Sequence, residues 1–302
     1  QMEIMLSRST KPIIGVSFDY PGTRDIVEMA EAAAEGVDNL RERPFLIHYI
    51  QPVRALVHNQ DTVNKLLYTA RKGLPVVYLV SAIMGVTSPI TAAGYQAMGA
   101  AGQLAALVLT QLVREGTPFA VRGGRIVVLD MKTMLSTFAA PENRIFSSDM
   151  AHYYDLPSFG TAGCSDSKTV DWQSVAEASL TLMADSLVGA NLIHDVGYIE
   201  AGVTYSAEML VLCDEVIGWI RKFKQSAVVN DDTLALDLID QLGIDGNFLT
   251  SDHTLARYKE QWEPSLFDRR SYHDWLAAGP SDLRDRVRTR IDTILGKHKS
   301  RE

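Results

Sequence analysis

The sequence is poor in several features that mark particular classes of protein. Its 302 residues include two cysteines, Cys164 and Cys213, which are too few and too isolated for a disulfide framework. Acidic residues outnumber basic ones by 37 to 29, and no block of Lys and Arg occurs. A nucleic-acid or anionic-membrane surface is therefore not expected. We expect a globular protein of the reducing cytoplasm.

Long apolar segments are also missing. The longest apolar stretch, around residues 104–113, is interrupted by Gln111 and falls short of the roughly 20 residues that cross a bilayer. The N-terminus has no basic-then-apolar export pattern. Residues 1–9 instead resemble the end of a helix that precedes a strand. We expect no membrane span, and we expect further residues upstream of Gln1.

Two kinds of cofactor signature are absent as well. No GxGxxG or GxxxxGK[ST] stretch follows any apolar run, so the dinucleotide and P-loop interpretations lose their main support. The seven histidines are scattered, and no pair has the i, i+4 spacing around a carboxylate that a zinc hydrolase uses. We predict no metal site.

Six short apolar runs rich in β-branched residues predict strands. Five of them begin with proline, which lacks an N–H group but removes no hydrogen bond of the sheet when it stands at the start of a strand. The runs begin at Pro12, Pro44, Pro75, Pro118, Pro157 and Ala190. Apolar residues at i, i+3 and i+4 between the runs predict helices. These cover residues 25–40, 62–72, 91–114, 171–188 and 207–223.

A strand followed by a helix in every repeat predicts an α/β fold with a parallel sheet and right-handed crossovers. A closed (β/α)₈ TIM barrel needs eight such units, so the N-terminal ones would be missing; an open doubly wound sheet needs none. We expect a barrel domain over residues 1–225 and a helical appendage over residues 226–302. A barrel left open would expose sheet edges, and such a chain should form a homo-oligomer or aggregate.

Reactive groups in parallel βα folds lie at the carboxyl ends of the strands, which nominates residues directly after each run. His194 could be oriented by Asp195, or could be a satisfied structural histidine. Gly123 and Gly124 could let the backbone approach a ligand carboxylate, or could form a tight turn. The other nominated positions are Asp19, Tyr20, Gln51, Ser81, Met84, Gly85, Arg122 and residues 160–168 and 195–200.

The glycine-rich residues 160–168 bring together backbone N–H groups, the thiol of Cys164 and the ammonium of Lys168. This stretch could be a binding loop, or a flexible loop that only caps the next helix. Cys164 by itself is typical of a small buried hydrophobe. Tyr198, near a strand end, offers an aromatic face that would attract a quaternary ammonium.

Several segments together resemble the trimethylamine methyltransferase superfamily, from about Lys11 to His253. The resemblance rests on residues 84–91 (MGVTSPIT), 129–132 (LDMK), 141–142 (PE), 154–157 (YDLP), 163–168 (GCSDSK), 189–192 (GANL), 247–249 (NFL) and 253–255 (HTL).

The resemblance implies a TIM barrel, a small methylated amine as methyl donor, and a corrinoid (cobalamin) carried by a separate corrinoid-binding protein as acceptor. Members that demethylate trimethylamine carry pyrrolysine in or beside residues 164–168, where this chain has ordinary residues. This departure favours a quaternary amine such as glycine betaine. We predict His194 and Lys168 as catalytic residues.

The predicted substrate-binding residues are Gly123, Gly124, Cys164 and Tyr198. Two other classes of function stay open. A different barrel enzyme could be a pterin-dependent methyltransferase that binds its own cofactor, or a lyase that uses Lys168 as a Schiff-base amine. A non-catalytic barrel fragment could serve as a binding module.

Overall fold

The computed structural model describes residues 1–123, 126–144, 146 and 148–298. A parallel six-stranded sheet dominates it, with two short antiparallel hairpins beside it. The strands are β1 (Ile13–Val16), β2 (Leu46–Ile50), β3 (Val76–Tyr78), β4 (Phe119–Arg122), β5 (Val128–Asp130), β6 (Leu135–Thr137), β7 (Ser158–Thr161), β8 (Leu192–His194), β9 (Tyr198–Ile199) and β10 (Thr204–Tyr205). All six predicted strand runs are confirmed.

The order of the strands in the large sheet is β1-β2-β3-β4-β7-β8, so each strand pairs with the next one of the sheet along the chain. A doubly wound sheet reverses its strand order at a switch point, whereas a barrel does not. The sheet is curled into half a barrel. The α/β class is therefore confirmed, and the sheet has the arrangement of a partial TIM-like barrel.

The prolines at the strand starts donate no hydrogen bond, but their carbonyl groups still join the sheet. Pro75 accepts from the N–H of His48 at 3.0 Å, Pro118 from Val76 at 3.0 Å, and Pro157 from Val121. Proline thus fixes the backbone where a strand begins without breaking a rung of the parallel ladder.

Helices between the strands of the sheet cover its outside, close to the five predicted ranges, and further helices follow toward the C-terminus. They are α1 (Met2–Arg8), α2 (Tyr20–Ala33), α3 (Val37–Glu42), α4 (Gln60–Lys72), α5 (Ala92–Val113), α6 (Asp149–Tyr153), α7 (Trp172–Leu187), α8 (Ala207–Phe223), α9 (Asp231–Leu234), α10 (Leu236–Leu242), α11 (Asp252–Arg257), α12 (Tyr272–Ala277) and α13 (Leu283–Lys297). The helix predicted over residues 25–40 is in fact two, because Glu35 and Gly36 take φ values of 58° and 133° between them.

The two faces of the sheet bury different side chains, because successive residues of a strand point to opposite sides. Residues on the concave face form an inner cluster around Phe159. Its other members are Ile14, Ile47, Tyr49, Val77, Leu79 and Ala120. The alternate residues of β2, β3 and β4 pack outward against the helices. Residues 51, 81, 122, 161 and 194 continue the inward set at the carboxyl ends.

Helix α13 lies against α8 and joins the C-terminal segments to the sheet domain. Leu212, Leu266 and Val287 form a small buried cluster there. The Glu215 carboxylate accepts hydrogen bonds from the N–H groups of Ser265, Leu266 and Phe267. The boundary that we predict at residues 225 and 226 stays a prediction.

Helix α5 is long and apolar enough to cross a membrane by length and composition alone. A single helix of this kind is weak evidence for a span, since core helices pass the same test. It packs here against α4 and β4, and buries Tyr95 and Gln103.

Candidate active site

A cavity of about 500 Å³ opens at the carboxyl ends of β2, β3, β4, β7 and β8. Side chains from all five strand ends reach it, although those residues are far apart in sequence. A cavity of this size at this end of a parallel barrel is the usual position for a small-molecule site. The residues that line the cavity include Tyr49, Gln51, Arg54, Ser81, Arg122, Thr161, His194, Asp195 and Ala201.

His194 ends β8 and forms part of the cavity wall. Its Nδ1 lies 2.8 Å from Oδ1 of Asp195, and its Nε2 lies 2.9 Å from the hydroxyl of Thr161. The ring stacks on Phe159, with 4.4 Å between the centroids. Both ring nitrogens are thus engaged by protein groups, which fixes the orientation of the imidazole in the cavity wall.

The segment after His194 has an unusual backbone. Asp195 has φ 67°, Gly197 has φ 91°, and Glu200 and Ala201 have φ 55° and 54°. Residues other than glycine rarely adopt such φ values, and each one costs about 1 kcal/mol or more of folding free energy. The strained backbone brings the Asp195 carboxylate back onto His194 and brings Ala201 to the cavity. Such strain is common at binding sites.

Tyr49 supplies an aromatic ring from β2. The ring meets His194 edge-on at 6.2 Å and Phe159 at 6.1 Å, and its hydroxyl donates to Oε1 of Gln51 at 3.2 Å. Burial raises the pKa of Tyr49 to about 12, so the phenol is neutral at physiological pH. The cavity therefore has an uncharged, electron-rich wall that suits a quaternary ammonium.

Arg122 ends β4 and brings a positive charge to the same cavity. Its Nη1 donates to the carbonyl of Val80 at 3.1 Å and to the hydroxyl of Ser81 at 2.9 Å. The guanidinium also lies over the ring of Tyr95, at 5.7 Å from its centroid. Contacts with the end of β3 and with α5 thus hold this side chain in place.

Behind the cavity, a buried carboxylate supports the end of β7. Asp185, on α7, accepts a hydrogen bond from the N–H of Thr161 at 2.9 Å and pairs with Arg144 at 3.5 Å. Burial raises the pKa of Asp185. A Cβ atom at Gly160 would lie 2.7 Å from Oδ2 of Asp185, so only glycine allows this approach. The network fixes Thr161, which in turn contacts His194.

The polar side chains of the glycine-rich stretch after β7 bond within the stretch, to α7 and to the segment after β6. In that segment the N–H groups of Phe138 and Ala139 donate to the Asp166 carboxylate. Cys164 is completely buried, and Ser165 donates its hydroxyl to Glu177 at 2.6 Å. Lys168 is exposed, and its Nζ donates to the carbonyl of Asp166 at 2.8 Å. The structure therefore places neither Cys164 nor Lys168 at the cavity. Their functional roles stay predictions.

The other predicted substrate-binding residues are Gly123, Gly124 and Tyr198. The N–H of Gly123 donates to the carbonyl of Phe159 at 3.0 Å, and an added Cβ would lie 2.7 Å from that of Ser158. Gly123 thus allows β4 and β7 to approach closely. Tyr198 packs edge-on against Tyr205 and pairs through its backbone with Cys164. Gly124 lies outside the described residues.

Tyr49 is missed by the sequence patterns, although a signal is present. The alternation of β2 puts Tyr49 on the same face as Gln51, which is nominated at the strand end. Arg122 is nominated by position but is not selected, because a single arginine at a strand end has no local sequence motif. Its contacts with Val80 and Ser81 join residues 42 and 41 positions away.

A larger cavity, of about 1010 Å³, lies among the C-terminal segments. Its wall comes mainly from one continuous stretch of chain, far in sequence from the strand ends. The lining residues are Tyr258, Lys259, residues 261–270 and Arg286. We take the smaller cavity at the strand ends as the candidate active site, because polar groups from separate strands converge there.

The family model described as Trimethylamine methyltransferase (MTTB) matches residues 2–302, which is nearly the whole chain. The chain belongs to this family. The resemblance expected from residues 84–91 and the other segments is therefore confirmed.

Curated members of the trimethylamine methyltransferase family align with almost all of the chain. A trimethylamine methyltransferase MttB of Desulfitobacterium hafniense is 35% identical over 297 residues, covering 97% of this chain and 60% of that protein. A glycine betaine methyltransferase from another strain of this species is 30% identical, covering 97% and 62%. The trimethylamine methyltransferase MttB1 of Methanosarcina acetivorans is 31% identical, covering 94% and 57%. The chain thus spans about 60% of the length of the first of these relatives.

Proposed function

We propose that this chain is the greater part of a methyltransferase barrel that moves a methyl group from a quaternary or tertiary methylamine, of the glycine betaine type, to a corrinoid protein. Membership of the family supports the reaction class. The observation that carries the proposal is the cavity at the strand ends, where the ring of Tyr49 and the carboxylate of Asp195 provide surroundings for a methylated ammonium. We infer a cytoplasmic location.

Methyl transfer from a quaternary amine requires correct positioning of the substrate more than acid–base catalysis. When a quaternary amine loses a methyl group, the electrons of the broken C–N bond stay on nitrogen, and the amine leaves neutral. No proton has to be delivered to it. A rigid wall that holds the ammonium and points one methyl group outward is then sufficient. The engaged ring nitrogens of His194 suit this role, and we propose His194 as a wall residue of the site.

The methyl acceptor is a second substrate, carried by a partner protein. A cavity of about 500 Å³ accommodates a small amine but is too small for a corrinoid macrocycle as well. We propose that the corrinoid protein docks over the carboxyl ends of the strands, where the cavity opens. The corrinoid supplies the reduced cobalt that accepts the methyl group, while the residues of this chain bind and orient the amine.

We further propose that the six-stranded half-barrel belongs to a complete (β/α)₈ barrel. The strands already follow barrel order, and β1 and β8 are the two edges of the sheet. Two more strands between these edges would close it and satisfy their backbone groups. The relatives are long enough to provide them, since the chain covers 60% of the first one.

The test mixes the full-length protein with chemically reduced cobalamin and a panel of methylated amines, and follows methylation of the cobalt by its absorbance. We expect turnover with glycine betaine or another quaternary amine, and little with trimethylamine. Absence of methyl transfer from every amine, repeated with the cognate corrinoid protein, would contradict the proposal and favour a binding module. Turnover with trimethylamine alone would keep the reaction class and overturn the quaternary substrate.

A further inference from the structure

The cavity at the strand ends carries opposite charges on different sides. We propose that Arg122 binds a carboxylate of the substrate, so that the cavity selects a methylated amine that also carries a carboxylate over a simple methylated cation. The inference rests on the proposed function for the ammonium end of the substrate. It goes further in naming the residue that determines specificity.

The position of Arg122 is the first argument. Its guanidinium lines the cavity from the end of β4, and it is held by Val80, Ser81 and the face of Tyr95. A planar guanidinium can donate two parallel hydrogen bonds to one carboxylate. Since these contacts already restrain the side chain, little further conformational entropy is lost when a ligand binds.

The opposite charge lies with Asp195, at the end of β8. Tyr49 is close enough to both groups for each to affect its phenol: Arg122 lowers the pKa of Tyr49 and Asp195 raises it, while burial has the largest effect. The aromatic wall therefore lies within electrostatic reach of a cation and of an anion. A ligand against Tyr49 meets both, which suits a zwitterion.

The charge of Arg122 also argues against a simple cation as substrate. A tetraalkylammonium ion in the same cavity gains from Tyr49 and Asp195, but it is repelled by the guanidinium. A carboxylate on the ligand converts this repulsion into a charge-assisted hydrogen bond. Given the strength of hydrogen bonds to charged groups, we expect a preference of about 10- to 100-fold for the zwitterion.

The contacts of Arg122 also fit a structural role, as a clamp between the ends of β3 and β4. The two roles differ in what they predict for ligands. Loss of a clamp would loosen the cavity and weaken every ligand alike. Loss of a carboxylate-binding group would weaken the zwitterion and leave a simple cation bound as well as before, or better.

The experiment measures binding of glycine betaine and of choline to the full-length protein by titration calorimetry. These ligands share the trimethylammonium group, and choline has a neutral hydroxyl in place of the carboxylate. We expect the wild type to prefer glycine betaine, and Arg122→Met to lose this preference. Arg71→Met is the matched control, because Arg71 is an exposed arginine on α4 that does not line the cavity. It should keep most of the preference.

A second variant guards against a loss of folding. Arg122→Lys retains the charge but not the planar fork, so binding of glycine betaine should weaken while binding of choline stays the same. Equal weakening of both ligands in the Arg122 variants, or loss of the preference in Arg71→Met, would overturn the inference. A wild type that binds and demethylates amines but prefers choline would overturn it and leave the proposed function intact. A wild type that binds and demethylates no amine would overturn both.

Discussion

Two sets of strand-end groups differ in where their polar atoms point. After β7, the polar side chains of the glycine-rich stretch bond to other protein groups: Ser165 to Glu177, Lys168 to the carbonyl of Asp166, and Asp166 to the N–H group of Phe138. At the ends of β2 and β4, Tyr49 and Arg122 line a cavity instead. The stretch after β7 is the more conspicuous in the sequence. Density of polar residues along the chain is thus a poor guide to which groups can meet a ligand.

The largest expected effect tests whether the contacts of Asp185 at the end of β7 stabilise the fold. Asp185→Ala leaves the buried guanidinium of Arg144 without its ion pair and removes the acceptor of the Thr161 N–H. We expect a loss of about 3–5 kcal/mol in the free energy of unfolding. Urea unfolding measures it, with Asp237→Ala on the exposed side of α10 as control. A loss below about 1 kcal/mol, the size of an ordinary substitution, would show that this network does not hold β7 in place.

The next effect concerns the cavity itself. Tyr49→Ala removes the aromatic wall, and we expect kcat/KM for the methylated amine to fall by about 30-fold or more, because an ammonium loses about 2 kcal/mol or more of desolvated cation–π attraction. Tyr49→Phe keeps the ring and should lose only a few-fold. Steady-state kinetics of the full-length protein separates the two. Similar losses in both variants would assign the effect to the hydroxyl and its bond to Gln51.

His48 lies on the opposite face of β2 from Tyr49, and its protonation should make the free energy of unfolding depend on pH. Burial, with a smaller contribution from Lys65, lowers the pKa of His48 to about 4 from its usual 6.5. The unfolded state therefore binds the proton more readily, so this contribution to stability is present above pH 6.5 and is lost as the pH falls toward 4. Between about pH 7 and pH 5 we expect a loss of about 2 kcal/mol.

Urea unfolding of the wild type and of His48→Gln at both pH values checks this expectation. The difference between the two proteins removes the contribution of the other titrating groups. His48→Gln should lack this part of the pH dependence. Parallel pH profiles for the two proteins would mean that His48 binds protons equally well in the folded and the unfolded state.

The smallest expected effect concerns the exposed end of the stretch after β7. Lys168 donates to a neighbouring carbonyl and does not line the cavity. We expect Lys168→Met to change kcat/KM by about twofold or less, since isolated exposed substitutions have small effects. A large loss of kcat would restore the catalytic role predicted from the sequence. Borohydride trapping of a carbonyl substrate on Lys168 would instead favour the lyase alternative.

Much of the fold could be predicted because its signals are local. Proline followed by a β-branched run marks five of the six strands, and the i, i+3, i+4 spacing marks the helices closely, as with α8 at Ala207–Phe223. The misses include the two antiparallel hairpins, β5–β6 and β9–β10, and a break in one helix. Residues 25–40 are expected as one helix, but positive φ values at Glu35 and Gly36 divide it. No periodicity of side chains reports such a break.

By itself, the sequence determined the order of strands and helices, the parallel sheet and the family. These follow from residues a few positions apart, or from motifs along the chain. Only the tertiary structure decided which strand-end groups face the cavity. Arg122 is fixed by Ser81, 41 residues away, and Thr161 by Asp185, 24 residues away. Contacts over such separations depend on the curl of the sheet and on the packing of the helices, which no local pattern specifies.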